Sequence, residues 1–136
     1  MSAENNIRLA HYLTLQLNQR NIAIVDALFS PQFVSHDVPP GQPNGIAAYK
    51  QALALVWTAF PDYASIIEDA VADGTKVATI GHFEGTHNGP FFNLPPSGRR
   101  VWVRTASIVE IQGGQVVAQW GILDLMSLFR QLQTAQ

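Results

Sequence analysis

Asp73-Gly74 and Gly113-Gly114 are two hairpin signals in the second half of the chain. Each pairs residues that tolerate the left-handed backbone of a tight turn between antiparallel strands. Each lies between long runs rich in Val, Ile and Thr: roughly 62–72 and 75–87 around the first, 99–112 and 115–124 around the second. Strands of this length are long against a usual five to six or so residues. Twist accumulates along them, so the sheet bends and acquires a concave face that other elements must cover.

The first third supplies the cover. Leu9, Leu13 and Leu17, with Ile7 and Tyr12, place an apolar stripe on a helix from about Asn6 to Asn18. Asn21 is a plausible N-cap for a short helix carrying Ile24, Val25, Leu28 and Phe29, ending near Pro31. A third helix follows Asn44-Gly45, with Ile46, Tyr49, Leu53, Val56, Trp57 and Phe60 on its apolar face, and Pro61 closes it. A short closing helix, Leu125 to Leu132, follows the last strand. Helices first and strands after predict an α+β fold with segregated elements. At 136 residues and 47% hydrophobic content, the chain affords one core and one domain, 1–136.

Charge narrows the function classes. Eight Lys and Arg against ten Asp and Glu leave a net charge of −2, the opposite of a nucleic-acid footprint. Charged residues are only 13% of the chain, about half the usual share. Part of the surface is therefore expected to be covered by another subunit, giving a homo-oligomer, a dimer or tetramer, through the sheet's outer face. Cysteine is absent, which removes thiol nucleophiles and cysteine-ligated metals. The opening MSAENNIRLAHYL has no basic-then-apolar leader pattern, and no apolar run reaches a membrane span. A cytoplasmic location is the default expectation.

Asp124 is the leading carboxylate. Period-two alternation groups it with Val116, Ala118, Trp120 and Ile122. On a concave face, poor solvation would raise its proton affinity and fit it for acid/base work. The competing role is an N-cap for the closing helix. Arg104 shares parity with Trp102, Ala106 and Ile108, and is either a solvated outer-face residue or a ligand for a carbonyl or anion in a cavity. Among His11, His36, His82 and His87, His36 is the leading pocket candidate. No metal-binding spacing occurs, so no metal is expected. Trp57, Trp102, Trp120, Tyr12, Phe60 and His82 are candidates to line a cavity between helices and sheet, where small ligands commonly sit.

Phe60-Pro61-Asp62-Tyr63, Gly85-Thr86-His87-Asn88-Gly89, Leu94-Pro95-Pro96-Ser97-Gly98-Arg99, Gly113-Gly114-Gln115-Val116-Val117 and Trp120-x3-Asp124 occur in that order. The series resembles the SnoaL-like polyketide cyclases, or ester cyclases, of the nuclear-transport-factor-2-like, ketosteroid-isomerase-like superfamily. The resemblance implies a cone-shaped α+β barrel (cystatin-like), with three N-terminal helices on a strongly curved antiparallel sheet. It implies cofactor-free chemistry in the cone, with Asp124 as acid/base and His36 at the family's polar position after the second helix. The family's Gln or His on the third long strand is not matched, and Arg104 stands there as a candidate, with His36, to orient substrate or stabilise an enolate. The family's Glu two residues before the Trp is Ala118 here, and its Arg near position 80 is Ile80. The implied reaction is intramolecular aldol-type cyclisation, or isomerisation, of an apolar or aromatic carbonyl compound. One rival keeps the pocket for a hydroxylase or epoxide hydrolase. Another is a non-enzymatic binder of small apolar ligands, which an Asp124 turned away from the cavity would favour.

Overall fold

The computed structural model describes residues 2–133. Its elements are α1 (Ala3–Asn18), α2 (Ala23–Leu28), β1 (Phe29–Ser35), α3 (Ile46–Ala59), β2 (Ala64–Asp73), β3 (Lys76–Thr86), β4 (Arg100–Gln112), β5 (Gln115–Leu123) and α4 (Leu125–Gln133). One five-stranded sheet runs in the order β1-β5-β4-β3-β2. Both hairpin signals turn where expected, with Gly74, Gly113 and Gly114 at positive φ. No described helix is long and apolar enough to cross a membrane.

Three expectations need correction. Phe29 does not belong to the second helix; it opens an additional strand. Pro31 biases the preceding residue toward extended backbone, and Phe29 already has φ −91° and ψ 139°. The sheet is also not wholly antiparallel, because β1 pairs parallel to β5, with Phe29 opposite Val116 and Ser35 opposite Gln119. A proline is tolerated there because β1 is an edge strand. Asn21 does not cap α2; its side-chain amide donates to Gln16 Oε1 instead.

Two bulges help bend the sheet. In β2 the pairing shifts between Ile67 and Asp69, leaving Glu68 as the extra residue. In β5 Val116 pairs with Ile111 and Ala118 with Glu110, so Val117 is extra. The concave side holds two separate apolar clusters. One joins Ala10, Leu13, Ile24, Val25, Phe29, Phe33, Val77, Ile111 and Val116. The other joins Ala59, Phe60, Phe83, Val101 and Val103 to Leu128 and Leu132 of α4.

Candidate active site

Between these clusters the inward side chains change character. Along β3 the concave series reads Val77, Thr79, Gly81, Phe83; along β4 it reads Val101, Val103, Thr105, Ser107, Val109, Ile111. Apolar residues occupy the ends and small or polar ones the middle. The middle residues, with Gln119 and Gly121 of β5, floor a cavity of about 420 Å³. Leu13, Thr14, Leu17 and Asn18 of α1 and Tyr49, Leu53 and Trp57 of α3 roof it. Its volume falls within the roughly 300–1,000 Å³ of small-molecule sites.

Asp37 is the one carboxylate in this wall, and no Lys, Arg or His lines it. Its position follows from how β1 ends. His36 N–H still pairs with Gln119 C=O at 2.8 Å. The chain then departs, and the Asp37 side chain takes over the ladder: Gly121 N–H donates to Oδ1 at 3.0 Å and Oδ2 at 2.8 Å. A Cβ on Gly121 would lie 3.3 Å from Asp37 Oδ2 and 3.5 Å from Gln119 Nε2. Carboxylate and amide therefore converge on the space that Gly121 leaves open.

Hydroxyls complete the lining. Thr79 and Ser107 share a hydrogen bond of 2.9 Å across β3 and β4. Asn18 holds both backbone groups of Ser65, at 2.8 and 2.9 Å. Burial pushes the Tyr49 phenol well above its ordinary pKa, so it stays a neutral O–H. Burial also raises Tyr63, partly offset by a hydrogen bond with Ser65 and the Arg20 charge.

Most residues singled out from the sequence lie elsewhere. Asp124 is exposed and caps α4, its carboxylate accepting Ser127 N–H at 3.0 Å. His36 is exposed and stacks on Trp120, ring centroids 4.4 Å apart. Trp120 stands opposite Ile108 on the sheet's outer face. That face also carries His82, Arg104 and Trp102: the His82 ring stacks on Trp102 at 4.5 Å, and the Arg104 guanidinium sits 4.9 Å from the same ring. Glu68 bonds His82 at 2.6 Å and Arg104 at 2.7 Å, which holds its carboxyl below the usual range. Tyr12 is 48% exposed on α1, and Phe60 is buried in the cluster with α4. Of the nine, Trp57 lines the cavity.

The parity error has two causes. The Val117 bulge shifts the alternation of β5, so Gln119, Gly121 and Leu123 turn inward rather than Trp120 and Asp124. On β4 both faces are largely apolar, and Thr105 and Ser107 look like a solvent face because they floor a cavity. The missed residues are Asp37, Gln119, Thr79 and Ser107. A usable signal was the polar middle between apolar ends on two paired strands. Among the described residues no cluster of His, Asp and Glu is arranged to hold a metal ion.

The same architecture occurs in solved structures. IdmH from Streptomyces antibioticus, a proposed polyketide cyclase, is 25% identical with a TM-score of 0.84, over 95% of this chain and 99% of that one. TsrD from Streptomyces laurentii is 24% identical with a TM-score of 0.86, over 99% and 100%. AclR from Streptomyces galilaeus, a proposed hydroxylase, is 22% identical with a TM-score of 0.85, over 99% and 87%. A search of curated proteins returned no match. Residues 8–132 match the sequence profile of the SnoaL-like polyketide cyclases, and the chain belongs to that family.

Proposed function

We propose that the protein is a cofactor-independent acid/base enzyme that closes a ring by intramolecular aldol-type condensation of a neutral carbonyl compound. The observation that carries this reading is a lone carboxylate, Asp37, set beside an amide donor, Gln119, at an apolar and hydroxyl-lined cavity. Asp37 removes a proton from carbon alpha to a carbonyl. The Gln119 N–H and a floor hydroxyl stabilise the enolate oxygen. The enolate carbon attacks a second carbonyl, forming the C–C bond, and the resulting alkoxide takes the proton back from Asp37. Asp37 thus has the role that the resemblance gave to Asp124.

The lining also speaks to substrate charge. A substrate carboxylate beside Asp37 would meet a like charge with no cation in the wall to offset it. A neutral substrate, with any acid group esterified, avoids that repulsion.

Turnover of a tricyclic anthraquinone bearing a β-keto ester side chain tests the assignment. Asp37→Asn should lower kcat by about a hundredfold or more, the usual worth of a general base, while Asp124→Asn leaves it unchanged. The reverse pattern would sink the role of Asp37. Because Asp124 faces away from the cavity, a binding module is the second reading. Ligand binding unaffected by Asp37→Asn, with no turnover by wild type, would favour it.

A further inference from the structure

β1 is the sheet's edge strand, and its last residues carry Asp37 to the cavity. Successive strand residues direct their backbone groups to opposite edges. His36 N–H turns toward β5, so the groups of Ser35 face the free edge. There the side chain of Asn44 meets them. Ser35 N–H donates to Asn44 Oδ1 at 2.9 Å, and Asn44 Nδ2 donates to Ser35 C=O at 2.8 Å. One amide thus stands in for a neighbouring strand. The same Oδ1 accepts Gly45 N–H at 2.7 Å, at a glycine with φ +93° just before α3. α3 brings Tyr49, Leu53 and Trp57 to the cavity roof. Asn44 therefore joins the strand end that aims Asp37 to the helix that faces it. Closing a loop requires none of this to touch the site; this closure is two residues from the carboxylate.

We propose that Asn44 is a positioning residue that acts through Ser35 to hold the Asp37 carboxylate on Gly121 N–H, at the reacting position. This rests on Asp37 being the base. Without the clamp, the end of β1 frays from its free edge and the carboxylate spends time off Gly121.

The test pairs kinetics with an NMR probe that needs no substrate. In Asn44→Ala, assayed well below its melting midpoint, kcat should fall about tenfold with KM changed less than about twofold, the signature of a misplaced base. Asn44→Asp keeps the acceptor for both N–H groups and should recover part of that loss. In wild type the Gly121 amide proton should follow the titration of Asp37, and Asp37→Asn should abolish this dependence. Asn44→Ala should flatten it. Wild-type kcat together with a wild-type Gly121 titration in Asn44→Ala would overturn the proposal and leave Asn44 a loop closure. Full turnover by Asp37→Asn would instead overturn the catalytic reading, and the Gly121 titration would then decide by itself whether Asn44 holds the carboxylate.

Discussion

The Asp124 carboxylate accepts the Ser127 N–H, and its carbonyl accepts that of Leu128, the two bonds that start α4. Asp124→Ala should cost about 1 kcal/mol, the usual worth of an N-cap, or about 3–5 °C in melting midpoint for this size. Asp124→Asn, an equally good cap, should melt like wild type. His87 offers a second residue-scale prediction. It is 0% exposed, and Nδ1 accepts Ser97 N–H at 3.3 Å and meets Ser97 Oγ at 2.9 Å. Burial holds its pKa below the ordinary value. The unfolded chain therefore binds a proton that the folded one refuses once pH drops below about 6.5. This contribution to stability is complete above that pH and is lost as pH falls toward the depressed folded value. Melting midpoints from pH 7.5 to 5.5 should decline in wild type and decline less in His87→Gln. Parallel curves would exclude His87 as the cause.

Among the elements, β2 depends on a glycine in its neighbour. A Cβ at Gly81 would come 1.9 Å from the carbonyl oxygen of Ile66, next to the Glu68 bulge. Backbone stands on both sides, so nothing can move aside cheaply. Gly81→Ala should destabilise by more than the usual range of about 0.5–3 kcal/mol for point substitutions, read from the urea midpoint. Wild-type stability would mean the bulge is freely remodelled. Gly121→Ala is the milder counterpart: its methyl would press on a carboxylate at 3.3 Å, a side chain that can shift.

For the whole molecule, the outer face of the sheet is the surface that carries exposed apolar side chains. Ile80, Ala106 and Ile122 lie side by side across three strands, next to the row Val71, Ala78, Ile108, Trp120. Ile80 is 47% exposed and Ile122 76%. A contiguous apolar patch of this kind commonly marks an association surface, which fits the low charge content. Light scattering on wild type should give a mass at least twice 14.9 kDa, and Ile108→Glu should shift it to the monomer. A monomeric wild type at micromolar concentration would remove the expectation.

Element type and order were legible because they depend on local rules. Turn glycines, a 3-4 spacing of leucines and a proline after Phe60 act within a few residues of themselves, and the four long strands and the N-terminal helix lie close to where those signals put them. The family was legible for a related reason, since its motifs are short and ordered along the chain. The side of the sheet that each residue faces was not local information. One extra residue, Val117, shifts the alternation of β5, and period-two reasoning has no means to see it. The same limit hid Asp37, which reaches the cavity because a parallel edge strand ends beside Gly121, 84 positions away in sequence. Which carboxylate stands in the cavity was therefore decided by register and strand pairing, long-range properties that only the tertiary structure contains.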